Sequence, residues 1–308
     1  MHRSQKVLVV LLASCAACLT LSCGKDKSPT EPDPAPPPGV VWVERWSGTD
    51  ILLDVVWFDS KFIAVSERGN VYTSPDGIAW TVTNVHSSNI DDLSVVDSQM
   101  IAVFGLSGTH TSPDGFTWTQ VSTQSLRALC TSDTLCVAFG GGKLLTSTDL
   151  ITWTERRNVQ GYELRDGAWS GSRFVLVNGS YDRDSTLTSE DGIQWTAREL
   201  DSGEGLNSIT WTGTRFFTSG SFGLTYASSD GITWTEKARG NVGDPSVVEI
   251  LWTGTQLIAV GGSGLIVISD DGDTWTIRPS GTSKPLQSVA WSGERFVVVA
   301  QGIILSSP

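Results

Sequence analysis

The 308-residue chain is poor in the side chains that metal centres and nucleophilic enzymes depend on. It has three His, five Cys and two Met, and of the His and Cys only His86, His110, Cys130 and Cys136 lie beyond residue 23. A His/Cys metal centre and a Ser-His-Asp triad therefore have no support, and no Gly-x-Ser-x-Gly stretch occurs. Cations are scarce too. Against 33 Asp and Glu stand 21 Lys and Arg, a net charge of −12, which argues against a nucleic-acid partner. Long apolar runs are limited to Val7–Leu21, shorter than the roughly 20 residues of a membrane span. No stretch carries a helical period of about 3.6 residues. Gly140-Gly-Gly-Lys143 is not a P-loop, in which the Gly before Lys follows a first Gly by five places and Ser or Thr comes after Lys. Charged residues are only 18% and hydrophobic ones 39%, so the chain is not of the disordered class.

What is abundant is Trp, with 13 copies, and Gly, with 32, and both are periodic. One box recurs six times: Ser74, Asp76, Gly77, Trp80; Ser112, Asp114, Gly115, Trp118; Ser147, Asp149, Leu150, Trp153; Ser189, Asp191, Gly192, Trp195; Ser228, Asp230, Gly231, Trp234; Ser269, Asp271, Gly272, Trp275. The Trp spacings are 38, 35, 42, 39 and 41 residues. Between boxes an apolar residue precedes a Trp by five places, as in Leu52/Trp57, Leu164/Trp169, Leu206/Trp211, Val247/Trp252 and Leu286/Trp291. Turn residues, an apolar run and a Gly-rich turn follow. Each unit thus holds four short β-favouring runs separated by turn signals, the pattern of a propeller blade.

The chain reaches Ser307 where a further box would begin, and Val40–Arg45 reads as an unpartnered fourth strand. The expectation is an all-β propeller of seven blades, four antiparallel strands each, closed by the N-terminal strand joining the C-terminal blade. Sharing a blade between the two ends removes two exposed sheet edges.

The box resembles the Asp-box, or BNR repeat, of sialidase-like propellers. More loosely, the repeat resembles propellers related to photosystem II stability/assembly factors. The resemblance covers residues 40–308. The box here is one residue shorter between Asp and Trp than in sialidases, and Leu150 stands where the other boxes have Gly. The resemblance implies a turn in which Ser and Asp satisfy backbone N–H groups over a packed Trp. The six Asp are then structural, because equivalent turns around a rim do not converge on one substrate.

Residues 1–22 resemble a bacterial lipoprotein signal peptide, with Arg3 and Lys6 before the apolar run and Cys23 as the lipidated residue. Cys15 is the other candidate. Losing residues 1–22 would make the net charge two units more negative. Residues 23–39, with half of the 12 prolines, read as a tether, and residues 40–308 as the propeller. This places the protein in the bacterial envelope, at the outer membrane or cell surface, touching the membrane through the lipid alone.

If Ser132–Thr134 is a hairpin loop, Cys130 opposes Cys136 and a disulfide is within reach. Tyr162, Glu163, Tyr181, Asp182, Arg183, Asp184, Glu67, Arg68 and Glu204 fall on loops of the mouth opposite the boxes and make the candidate binding arc. Asp182 and Asp184 alone fall short of a calcium loop. A further column, two residues after the first-strand apolar position, reads Asp54, Asp92, Ala128, Asp166, Ser208, Glu249, Ser288. It is expected to face the central channel as solvated acids; the alternative is an acidic ring that binds a cation. No catalytic residue, metal or cofactor is expected. The expected function is a monomeric, non-catalytic propeller that binds an envelope protein or glycan. The alternative is a divergent sialidase-like glycoside hydrolase or lyase.

Overall fold

The computed structural model describes residues 38–308 apart from 97–98, 124–125, 133, 181–185, 201–204, 224 and 239–245. The signal peptide, Cys23 and most of the tether lie outside the described residues. Among the described residues the strands form five four-stranded antiparallel sheets and one sheet of six strands. Each four-stranded sheet keeps chain order; one runs Leu164–Trp169, Phe174–Asn178, Thr186–Ser189, Thr196–Arg198.

The count of seven blades is corrected to six. The six-stranded sheet runs Leu286–Trp291, Phe296–Ser307, Val43–Phe58, Lys61–Ser66, Asn70–Ser74, Thr81–Asn84. Its unity comes from Val43–Phe58, a single 16-residue strand. The first part of that strand pairs with the chain end, through Val43↔Ser306, Glu44↔Leu305, Trp46↔Ile304 and Ser47↔Ile303. Its second part pairs with Lys61–Ser66. No turn separates the two parts, because Asp50 holds the crossing. Its buried carboxylate accepts from the Tyr72 hydroxyl at 2.7 Å and the Ser66 hydroxyl at 3.4 Å, and Arg68 Nη1 lies 3.4 Å away. Burial raises the Asp50 pKa, but Tyr72, Asn70, Arg68 and Ser66 outweigh it and leave a net lowering. Trp46 packs edge-on against Tyr72, with ring centroids 4.9 Å apart.

All six box turns have the same geometry. The Ser hydroxyl lies 2.9–3.1 Å from Asp Oδ1. It also accepts the N–H of the Gly position at 2.8 Å each time. Asp Oδ1 accepts the next two N–H groups, for example Ile193 and Gln194 at 2.8 Å. These donors lower the pKa of the turn carboxylates, Asp149 to about 2. Positive φ is required at the Gly position, and Leu150 adopts it at +63° without being Gly. Ser307 and Gly39 reproduce the Ser and Trp contacts of this turn without its Asp. Gly39 N–H donates to Ser307 Oγ at 2.8 Å, and Trp42 Nε1 donates to Gly39 O at 3.2 Å. Gly39, read as tether, is therefore part of the fold.

Second strands carry the core. Phe62–Val65, Val175–Val177 and Val297–Ala300 are inaccessible to solvent. They pack blade against blade, as Val175 and Val177 do on Ile209, Phe216 and Tyr226. Each Val, Ile, Leu or Phe among them contributes roughly 1.5–3 kcal/mol.

The disulfide is also corrected. Ser132 N–H donates to Leu135 O, which sets Thr131 opposite Cys136 and Cys130 opposite Val137. The two sulfurs then project from opposite faces of the sheet, since facing alternates along a strand. Cys130 packs with Phe139 and Leu176, and Cys136 with Ile101 and Leu129. Both are free thiols. Burial pushes the Cys136 thiol up to about 12 and Cys130 well up too.

Candidate functional site

The innermost strands surround a central channel of about 510 Å³ that opens into a mouth of about 1080 Å³. Each four-stranded blade lends one innermost strand and the six-stranded blade lends two. Two successive positions of each strand face this space. Consequently, two tiers of side chains ring the axis.

The lower tier is the polar column Asp54, Asp92, Ala128, Asp166, Ser208, Glu249 and Ser288, all lining the channel. It is not simply solvated. Most of its members accept the N–H that follows the equivalent residue of the next strand. Asp54 Oδ2 takes Leu93 N–H at 2.7 Å, Asp166 Oδ2 takes Ile209 at 2.9 Å, and Glu249 Oε2 takes Val289 at 2.8 Å. Ser208 Oγ takes Ile250 at 3.4 Å, and Ser288 Oγ takes Val55 at 3.2 Å. Ala128 has no acceptor to offer Gly167 N–H, which turns to Asp166 Oδ1 at 2.7 Å instead. The column stitches neighbouring inner strands together, much as backbone pairing does within a blade.

Burial is the largest cause of the raised pKa values here. It lifts Asp54 to about 6 against the three donors that oppose it. Asp92 rises well above the usual range through burial and then the charges of Asp54 and Asp166. Glu249 rises likewise through burial and Asp54, and Asp166 through burial alone.

The upper tier is Leu53, Asp91, Arg127, Arg165, Asn207, Val248 and Gln287, all lining the mouth. Its charge is confined to one arc. Arg127 is exposed at the mouth beside Arg165; desolvation and then the Arg165 charge lower its pKa. Glu163 Oε2 pairs with Arg165 Nη2 at 3.0 Å. Asn207 is fixed by donating to Ser246 Oγ at 3.0 Å and Val247 O at 2.9 Å. This tier escaped the sequence reading, although its register is legible: each member directly follows the first-strand apolar residue, as Arg127 follows Leu126.

Of the expected arc, Tyr162 and Glu163 line the mouth. Glu67 and Arg68 do not; Arg68 reaches the buried Asp50 instead. Tyr181, Asp182, Arg183, Asp184 and Glu204 lie outside the described residues.

No protein-family model matches the chain, and no curated protein matches its sequence. Solved structures do. YCF48 from Cyanidioschyzon merolae superposes with a TM-score of 0.69 at 15% identity, over 86% of this chain and 98% of that one. YCF48 bound to D1 peptide gives 0.71 at 18%, over 88% and 98%. A catalytically inactive virginiamycin B lyase from Staphylococcus aureus with quinupristin gives 0.73 at 10%, over 87% and 98%. By fold, the chain is a β-propeller. At these identities the likeness is one of fold, and propellers host unrelated functions.

Proposed function

We propose that the protein is a non-catalytic, lipid-anchored propeller of the bacterial envelope. In this reading it holds an extended, acid-bearing segment of a protein partner at the channel mouth. The observation that carries it is the Arg127–Arg165 pair on one arc of an open, mixed-polarity cavity. Paired guanidinium groups in a partly desolvated setting favour a carboxylate, which they engage in forked geometry. Peptide binding by a propeller of this shape has a precedent in YCF48 bound to D1 peptide. His86 and His110 pack on Phe104, at centroid distances of 5.0 and 4.2 Å, and neither lines the mouth.

The test pans a random peptide library on the immobilised chain. Peptides rich in Asp and Glu are expected to be enriched, and to bind roughly tenfold or more weakly to the Arg127→Ala/Arg165→Ala double variant. Enrichment indifferent to that variant, or none at all, would sink the reading.

A further inference from the structure

Away from the mouth, the channel ends among tryptophans. Trp57, Trp252 and Trp291 line it, each three residues beyond a lower-tier position on its own strand: Asp54, Glu249 and Ser288. Three residues of strand span about 10 Å. These three strands are consecutive around the axis, so an aromatic layer and an acidic layer lie one above the other. Trp57 and Trp291 are braced by Phe62 and Phe296, at centroid distances of 4.6 and 4.2 Å, yet all three indoles remain partly exposed. Where the same strand position lacks Trp, in the neighbouring blade, Val95 lines the channel instead.

The acids differ in spare capacity. Both oxygens of Asp54 and both of Asp166 already accept N–H or O–H donors. Glu249 gives Oε2 to Val289 N–H and also meets the Ser288 hydroxyl, which it shares with Asp54. Asp92 accepts no hydrogen bond from the described residues. Two carboxylates thus face the channel with lone pairs to offer, behind an aromatic entrance, in a protein whose net charge is −12.

We propose that this end of the channel receives a primary ammonium group carried on an alkyl stem. The stem lies between Trp57, Trp252 and Trp291, and the ammonium reaches Glu249 and Asp92. Aromatic faces attract cations as well as methylenes. An amphipathic chain with an apolar body and a charged tip matches both layers. The site lies beneath the mouth and shares Asp92 with its lining, where the Arg127 charge also reaches.

Titration calorimetry of the full chain with 1,5-diaminopentane and with Nα-acetyl-lysine amide tests the proposal. Saturable binding of at least one is expected. A free amine is the source if the diamine alone binds, and a lysine of another chain if the lysine amide binds. Because binding favours ionised Glu249 and Asp92, protons are released, and the heat at neutral pH should differ between phosphate and Tris buffers. Glu249→Gln and Asp92→Asn should each weaken binding by about tenfold or more, while Glu294→Gln, an exposed control, should not. Trp252→Leu should weaken it as well; if that variant misfolds, the two charge variants still decide. No saturation up to about 10 mM, equal binding of 1-pentanol, or indifference to both charge variants would overturn the proposal.

Discussion

Deleting residues 40–45 should lower the melting temperature by roughly 10 °C or more, making it the most damaging short deletion at either end of the described fold. The segment looks dispensable from its position, since Val41, Val43 and Glu44 are exposed. Its contacts say otherwise. Trp42 is 9% exposed and packs in one cluster with Phe296, Ile303 and Leu305. Losing that indole alone should cost about 3–5 kcal/mol. The deletion also strips Val43 and Glu44 from Ser306 and Leu305, and dissolves the turn that joins Gly39 and Trp42 to Ser307. An unpaired edge on a buried strand then meets water. Thermal melts of the two chains measure the loss. A synthetic peptide of residues 38–47, added in trans, should recover part of it by refilling the same edge. An unchanged melting temperature would mean that the end-to-end pairing contributes nothing to stability.

The same strand shows where sequence reading stops. The box turns were legible because their chemistry is local: Ser189 and Asp191 satisfy N–H groups within three residues of themselves. The blade count was not. Whether residues 47–51 turn or continue as one bulged strand depends on Asp50 meeting Tyr72 and Arg68, which lie about 20 residues on. The cysteines failed for a smaller reason. A one-residue difference in hairpin register, set by Ser132 and Leu135, moves a strand residue to the opposite face. The acidic column was legible because its residues repeat in kind. Its role in tying strands together was not, since the partners are backbone N–H groups that a sequence does not display. The upper tier follows the same register, but Leu53, Asp91, Arg127 and Asn207 share no chemistry that would mark them as one ring.

Stability should rise as pH falls from 8 to 5, against the trend of proteins whose carboxylates are mostly paired. The four channel acids set the sign. A carboxyl group whose folded pKa is raised binds protons more readily folded than unfolded. Its favourable contribution is complete below the unfolded value near 4 and is lost as pH climbs through the folded value. For Asp54 that window runs from about 4 to about 6, worth roughly 3 kcal/mol. Asp92 and Glu249 act in the same sense, since burial raises both well above the usual carboxylate range. Arg127 offsets part of it for Asp92, and Asp91 adds to it. The turn acids act in the opposite sense at the acid end. Asp76, Asp114, Asp149, Asp191, Asp230 and Asp271 have lowered values, so their contribution disappears as pH falls below about 4. The optimum should therefore lie near pH 4–5. Denaturant unfolding across pH 3–8 measures the profile. Asp92→Asn should raise stability at pH 8 by more than about 1 kcal/mol and flatten the slope above pH 5, because it removes a charge that no described donor compensates. Glu249→Gln should do so less, since its amide oxygen must still accept Val289 N–H. A profile that rises from pH 5 to 8, with Asp92→Asn destabilising throughout, would show that the channel carboxylates are held ionised by solvent or counter-ions rather than desolvated by the ring.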